Sequence, residues 1–160
     1  MVLRPEAVRT RLLRLEQVAS RLLQLSGLRR DELREDFRAA WTVERGLQLA
    51  AEIVFDIGNH ILSAHFAVTA QDYEDILTQL AAQRVLDQAL RERMRGLGGF
   101  RDILVHGYLT LDTDRVADAL SRAPRDFSDF IGAVREWLAT SRRDRTRRRH
   151  SPRAVRLGGC

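Results

Sequence analysis

PEAVRTRLLRLEQVASRLLQL, Pro5 to Leu25, sets Val8, Leu12, Leu15, Val18, Leu22 and Leu25 at intervals of three and four residues. An α-helix turns roughly 100° per residue, so this spacing gathers the six apolar side chains into one stripe. Pro5 suits a first helical turn, where the missing amide proton is not needed, and Gly27 suits the stop. The stretch is therefore a helix with one face to bury.

The same period recurs along the chain. A second helix is expected from Asp31 to about Ser63, with Leu33, Phe37, Trp41, Leu47, Val54 and Ile61 on its apolar side. It is long enough to span the whole domain. A third runs from about Ala70 to Gln83, where Thr69 and Asp72 read as a capping box. A fourth runs from about Gln88 to Leu109, with Asp87 as N-cap. Gly96, Gly98 and Gly99 interrupt that fourth helix and predict a kink. A short fifth helix follows Asp114, and a sixth covers Ser128 to about Thr140. Trp41 and Trp137 occupy apolar helical positions and are expected in the core or an interface. Strand patterns are weak throughout. The expected fold is an all-α, up-and-down helical bundle of four main helices plus short ones.

The chain length of 160 residues suits one domain with its own core. Hydrophobic residues make up 44% and charged residues 31%. No apolar run approaches the roughly 20 residues needed to span a bilayer. The charged start lacks the apolar region of a signal peptide. No membrane partner is expected, and the cytoplasm is the expected location. Cys160 is the single cysteine, which excludes an intrachain disulfide and a cysteine-based metal site.

All 27 positive side chains are arginine, for the sequence contains no lysine. From Arg142 to Arg156 stand eight arginines and one acid, Asp144, a net charge of +7. The remainder carries 19 arginines and 21 acids, a net charge of −2. The chain divides accordingly into a helical domain, residues 1–141, and an arginine-rich, disordered C-terminal tail, residues 142–160. Two readings of the tail stand side by side. One is a solvated end. The other is sequence-independent RNA phosphate binding by Arg142, Arg143, Arg145, Arg147, Arg148 and Arg149.

The densest chemistry lies in RDILVHGY, Arg101 to Tyr108. On a helical wheel Phe100, Leu104 and Leu111 share a core side. Arg101, Val105 and Tyr108 share a second. Asp102 and His106 share a third, four residues apart, where side chains can meet. An aspartate there can hydrogen-bond one imidazole nitrogen and orient the other as a general base. Arg101 and His106 project about 140° apart on a regular helix. Three arrangements could bring them to one group. The helix loosens at Gly107, the long arginine bends round, or a second copy of the chain supplies half the site at a twofold interface. Such a pair suits RNA cleavage by the 2′-hydroxyl. Histidine removes the proton, arginine grips phosphate and stabilises charge on the phosphorane, and no metal is required.

Other patterns are weaker. Glu52, Asp56 and His60 follow at four-residue spacing beside Asn59. A bundle metal site is one reading. A buried polar network or interhelical hydrogen bonding is favoured, because all three sit on one helix and no Glu-x-x-His pair is present. The Gly96–Gly99 segment, GLGG, lacks the lysine and spacing of a phosphate loop.

The pattern Arg101, four residues, His106, one residue, Tyr108 matches the R-x4-H-x-Y motif of the HEPN superfamily. Together with VERGLQLAAEIVFDIGNHIL (Val43–Leu62), DYEDILTQL (Asp72–Leu80) and GFRDILVHGYLTLD (Gly99–Asp112), the chain resembles the HepT-like toxin branch, roughly from Leu33 to Leu138. The resemblance implies a dimerising helical bundle with the motif at the dimer cleft. It implies a metal-independent endoribonuclease toxin of a type VII toxin–antitoxin system, acting on RNA such as tRNA or mRNA without a cofactor. Its implied partner is a minimal nucleotidyltransferase (MNT) antitoxin that can AMPylate the motif tyrosine, here Tyr108. Arg101 and His106 match the catalytic pair. Asp102 occupies the polar position after the arginine, often asparagine in relatives. Aspartate keeps the acceptor and adds negative charge near an anionic substrate. Two competing readings are a non-catalytic dimeric HEPN module partnering a nucleotidyltransferase, and a basic-tailed nucleic-acid binder. The last would need a recognition helix rich in base-reading residues, which the sequence lacks.

Overall fold

The computed structural model describes residues 2–107 and 111–150, with the backbone alone from 144 to 150. It is all-helical over these residues. Helix α1 is Pro5–Leu25, as the opening periodicity predicts, with Pro5 at its start. Ser26 ends it, its hydroxyl donating to the Leu23 carbonyl at 2.6 Å. Val8, Leu12, Leu15, Val18 and Leu22 are buried along one side.

The expected long second helix is instead two, α2 (Arg30–Glu35) and α3 (Phe37–Ile61). Asp36 separates them. Its backbone is extended, and its carboxylate accepts from the amides of Arg38 at 2.9 Å and Ala39 at 3.3 Å. A short acidic side chain that caps the next helix competes with continuing the last one. Periodicity cannot register this, because Leu33, Phe37 and Trp41 keep helical spacing across the break. Phe37 and Trp41 are also not core. They are 57% and 65% exposed and meet edge to face at 5.1 Å.

After α3 the chain makes a wide π-helical turn, Leu62–Phe66, that ends at Ala67 in the left-handed region. His65 and Phe66 pack their rings on Trp137, at 5.0 and 5.8 Å. Helix α4 (Tyr73–Ala82) starts at Asp72, whose carboxylate accepts from the Asp75 amide at 2.8 Å. The cap therefore lies three residues beyond the predicted Thr69 box. Asp87 caps α5 (Gln88–Arg93) as expected, accepting from Leu90 at 2.7 Å. Helix α6 is Leu97–His106, so the glycine cluster breaks the predicted fourth helix rather than kinking it.

The two expected C-terminal helices are one, α7 (Thr113–His150), running through Pro124. Proline removes one backbone donor and normally interrupts a helix. Here Val116, Leu120, Phe127, Phe130, Ile131 and Val134 are buried on both sides of it, and this shared apolar stripe holds the axis together. The helix also carries past Ser141, so the arginine segment expected to be disordered begins as helix through His150.

Helix α3 is the hub, packing against α1, α2, α4, α6 and α7. Helices α1 and α7 also pack on each other, and α4 and α6 form a shorter layer on α3. Phe127 and Phe130 are the largest fully buried side chains. Exposed arginine pairs tie the elements at the surface: Arg135 grips Glu16 with both terminal nitrogens at 3.2 and 2.9 Å, and Arg30 and Arg34 join α2 to Asp118 and Asp114 at 2.6 Å. Such exposed pairs contribute little to stability. Among the described residues no helix is long and apolar enough to cross a membrane.

Replacing Asp36 by Ala should destabilise the protein by about 1 kcal/mol in urea unfolding, while Asp36→Asn stays near wild type. Equal losses for both would show that the cap is not what the carboxylate provides.

Candidate active site on helix α6

The site is assembled where α6 meets α3 and α4. Gly96 precedes α6 with φ at +82°, a conformation that glycine tolerates best, and no local side chain caps the helix. Glu74 of α4 does so from a distance, accepting from the Gly98 amide at 2.8 Å. A Cβ at Gly98 would lie 2.8 Å from Tyr73 Cβ and 3.3 Å from the Glu74 amide. A residue without a side chain therefore lets α6 seat against the first turn of α4.

Three residues on, this docking delivers Arg101. Its guanidinium lies over the Tyr73 ring, 5.0 Å from the centroid, and Tyr73 in turn packs on Phe55 at 4.7 Å. Nη2 reaches Glu52 of α3 at 3.4 Å, and Nη1 reaches Asp102 at 3.1 Å. Glu52 also accepts from Gln48 at 3.0 Å. The Arg101 side chain is only 18% exposed, and its buried Nε finds no partner among the described residues. Burial works against the charge, but the hydrogen bond to Asp102 and the attraction of Tyr73, Glu52 and Asp102 more than offset it. The group is held charged more firmly than an ordinary arginine.

The predicted Asp102–His106 hydrogen bond is not formed. Asp102 pairs with Arg101 instead. A permanently charged guanidinium outcompetes an imidazole for one carboxylate, because charge-assisted bonds are the stronger ones. His106 is the last residue of α6, exposed and without a hydrogen-bond partner among the described residues. Arg101 is held between Glu52 of α3 and Asp102 of its own helix, while His106 is exposed at the end of α6. The helix holds its form through His106. Tyr108 lies outside the described residues. Arg142 and Arg143 are exposed, and the side chains of Arg145, Arg147, Arg148 and Arg149 also fall outside the description.

Helix α6 is poorly covered. Leu97, Phe100, Ile103, Leu104 and Val105 are half-buried, and Gly98 is its one fully buried residue. A cleft of ≈ 390 Å³ opens between α6 and α7, floored by Phe100, Ile103 and Phe127 and edged by Arg115 and Arg122.

The Glu52–Asp56–His60 row does not act as one group. Glu52 turns to Arg101, and Asp56 is exposed. His60 accepts through Nε2 from the Arg4 amide at 3.3 Å. Among the described residues no three His, Cys, Asp or Glu side chains converge to hold a metal. Sequence reasoning missed Tyr73 and Glu74 as parts of the site; interhelical hydrogen bonding was among the readings of Glu52, but its partner was not identified. Arg101 lies 49 residues from Glu52, and no helical spacing connects them.

A family model described as ribonuclease HepT-like matches residues 15–134. The chain belongs to the HepT-like ribonuclease family. It is 30% identical over 104 residues to an mRNA nuclease HepT of Shewanella oneidensis, covering 65% of this chain and 78% of that one. It is 25% identical over 136 residues to a tRNA nuclease HepT of Aphanizomenon flos-aquae, covering 85% and 92%. Among solved structures it superposes on a tri-AMPylated Shewanella oneidensis HEPN toxin in complex with MNT antitoxin, with a TM-score of 0.72 and 26% identity over 81% of this chain and 96% of that one. The helical HEPN-like fold expected from the motif is thus the fold of this HepT-like chain.

His60 makes the stability depend on pH. Burial first, and then the positive charges of Arg11 and Arg4, hold its pKa below the ordinary value of 6.5. The unfolded chain therefore takes up a proton before the folded one. The contribution is intact above about pH 6.5 and is lost as the pH falls through the lower folded value. Urea unfolding of wild type should weaken from pH 7 to pH 5 more steeply than that of His60→Gln. Parallel profiles would remove His60 as the cause.

Proposed function

We propose that this chain is a metal-independent endoribonuclease toxin of a type VII toxin–antitoxin system, held in check by an MNT-type nucleotidyltransferase. The observation that carries the reading is Arg101: a charged guanidinium, oriented by Tyr73 and Glu52, one helical turn and a half from an exposed histidine that has no hydrogen-bond partner among the described residues. Membership of a ribonuclease family, and relatives named as nucleases of mRNA and of tRNA, support RNA as the substrate.

The chemistry follows from the groups. His106 takes the proton from a ribose 2′-hydroxyl. The 2′-oxygen attacks the adjacent phosphorus, and the bond to the 5′-oxygen breaks as that oxygen takes up a proton from the His106 imidazolium or from water, leaving a 2′,3′-cyclic phosphate and a free 5′-hydroxyl. Arg101 binds the non-bridging oxygens, where charge accumulates. A phosphate arriving on Arg101 displaces Asp102, which then stands four residues from His106 and is free to accept from its ring N–H. No step needs a cofactor.

The site works as a dimer. Arg101 and His106 of one chain diverge, and the half-covered apolar face of α6 offers a second copy something to bury. Each cleft then holds Arg101 of one chain and His106 of its partner. The helical arginine extension beyond Ser141 adds RNA phosphate binding, so residues 142–160 serve as an arm to the domain of residues 1–141. AMP on Tyr108 adds negative charge and bulk, repelling RNA.

A second reading, a non-catalytic dimeric module that partners a nucleotidyltransferase, has one observation in its favour: two carboxylates, Glu52 and Asp102, already occupy Arg101.

Wild type should cleave RNA in EDTA, and Arg101→Ala and His106→Ala should each lose at least about a hundredfold. Mixing the two variants should restore about a quarter of wild-type activity, since heterodimers regain one composite site. No cleavage by wild type leaves the binding module, and no recovery on mixing sinks the shared site. Incubation with an MNT-type enzyme and ATP should add AMP mass to the Tyr108 peptide and abolish cleavage. An unmodified peptide would remove that control mechanism.

A further inference from the structure

We propose that Glu52 is the positioning residue of this site: reaching across from α3, it fixes the Arg101 guanidinium against the Tyr73 ring and leaves Asp102 as the partner that RNA phosphate replaces. The proposal rests on the reading of Arg101 as the phosphate clamp and assigns opposite roles to two carboxylates that a contact list would treat alike.

The two carboxylates differ in exposure and in tethering, although the contact to Asp102 is the shorter, 3.1 against 3.4 Å. Glu52 belongs to the most buried helix of the fold and is 32% exposed. It is itself tethered by Gln48 at 3.0 Å. Asp102 neighbours Arg101 in sequence, is 54% exposed, and has no hydrogen bond other than that to Arg101 among the described residues. An exposed ion pair contributes little and exchanges readily. A pair on the protein side, screened less by water, holds its geometry. The guanidinium is planar, with donors along its edges and a face that attracts aromatic rings. Tyr73 covers the face, Glu52 holds Nη2 on the inner side, and Asp102 takes Nη1 on the solvent side.

This division also solves a charge problem. A phosphodiester that displaces Asp102 brings one negative charge in place of another, so the arginine stays matched throughout. If Glu52 were the group displaced, a half-buried carboxylate would be left without its cation, which is the expensive outcome. Glu52 therefore stays, and its hold keeps one long, otherwise mobile side chain aimed at the cleft before substrate arrives.

Glu52→Gln, Glu52→Asp and Asp102→Asn should be compared with wild type for kcat and KM on a cleavable RNA, with thermal unfolding of each. Glu52→Gln retains the shape and the acceptor for Gln48 but loses the charge. Its kcat should fall by about ten- to a hundredfold with KM little changed, at an unaltered midpoint of unfolding. Glu52→Asp should recover part of the loss. Asp102→Asn should move the other way and lower KM, because the competing charge is gone. Wild-type kcat in Glu52→Gln, or a loss explained wholly by a lower unfolding midpoint, overturns the proposal. A second measurement is independent of cleavage. The Arg101 Nε–H signal in nitrogen-15 NMR should exchange slowly in wild type and approach the rate of surface arginines in Glu52→Gln. If Arg101→Ala cleaves like wild type, the clamp reading fails and this signal decides alone. An unchanged exchange rate then overturns the positioning role, and an accelerated one upholds it.

Discussion

The burial of α3 is the constraint on which the rest of the molecule depends. Between Ala50 and Ile61 it buries Ala50, Ala51, Ile53, Val54, Phe55, Ile57, Gly58 and Ile61, which cover more than half of the helix circumference, an arc of about 200°. A helix with that much apolar circumference is stable only when neighbours surround it. Helices α1, α2, α4, α6 and α7 do so. The polar residues that interrupt the run are Glu52, Asp56, Asn59 and His60. Each is tolerated where the surrounding helices leave a partner or an opening. His60 meets the chain start, Asp56 faces solvent, and Glu52 meets Arg101. The site is thus placed at a gap in the packing around the central helix, and a charge there has a structural reason before it has a chemical one.

The motif helix inherits its position from that arrangement. Helix α6 is only ten residues long, too short to be stable by itself in water. It is held by the absence of a side chain at Gly98, by the Glu74 cap, and by the Arg101 side chain folded over Tyr73. Structure and chemistry share the same atoms here, since the arginine that anchors α6 is the one that would receive phosphate. This sharing limits what can be changed. A residue that leaves Arg101 in place must satisfy the packing of α3 and α4 as well as the reaction.

Much of this was legible in the amino-acid order. The opening helix, the cap at Asp87 and an interruption at the glycines before the motif follow from spacing and local side-chain chemistry, and the resemblance carried by Arg101, His106 and Tyr108 pointed to the family. The misreadings have equally local causes. Asp36 ends a helix without disturbing its apolar period, and Pro124 fails to end one because the apolar stripe resumes in phase beyond it. Trp41 is exposed near the start of α3 with Phe37 as its ring neighbour, so of the two expected places, core or interface, the core is the one that fails. Asp102 was assigned to His106 because four-residue spacing is visible in a sequence. Arg101, its adjacent and permanently charged neighbour, was the stronger partner.

What the sequence by itself determined is the set of helices with one or more faces to bury, the charge asymmetry between domain and C-terminal segment, and the family. Each depends on interactions within a few residues of chain, or on a motif that is contiguous. What only the tertiary structure decided is how the charged groups are paired. Glu52 finds Arg101 from 49 residues away, Glu74 caps a helix it does not belong to, and His60 receives the amide of Arg4. Those pairings arise because packing five helices around α3 brings half-buried polar groups from distant parts of the chain within reach of one another, where a partner replaces part of the water each has lost.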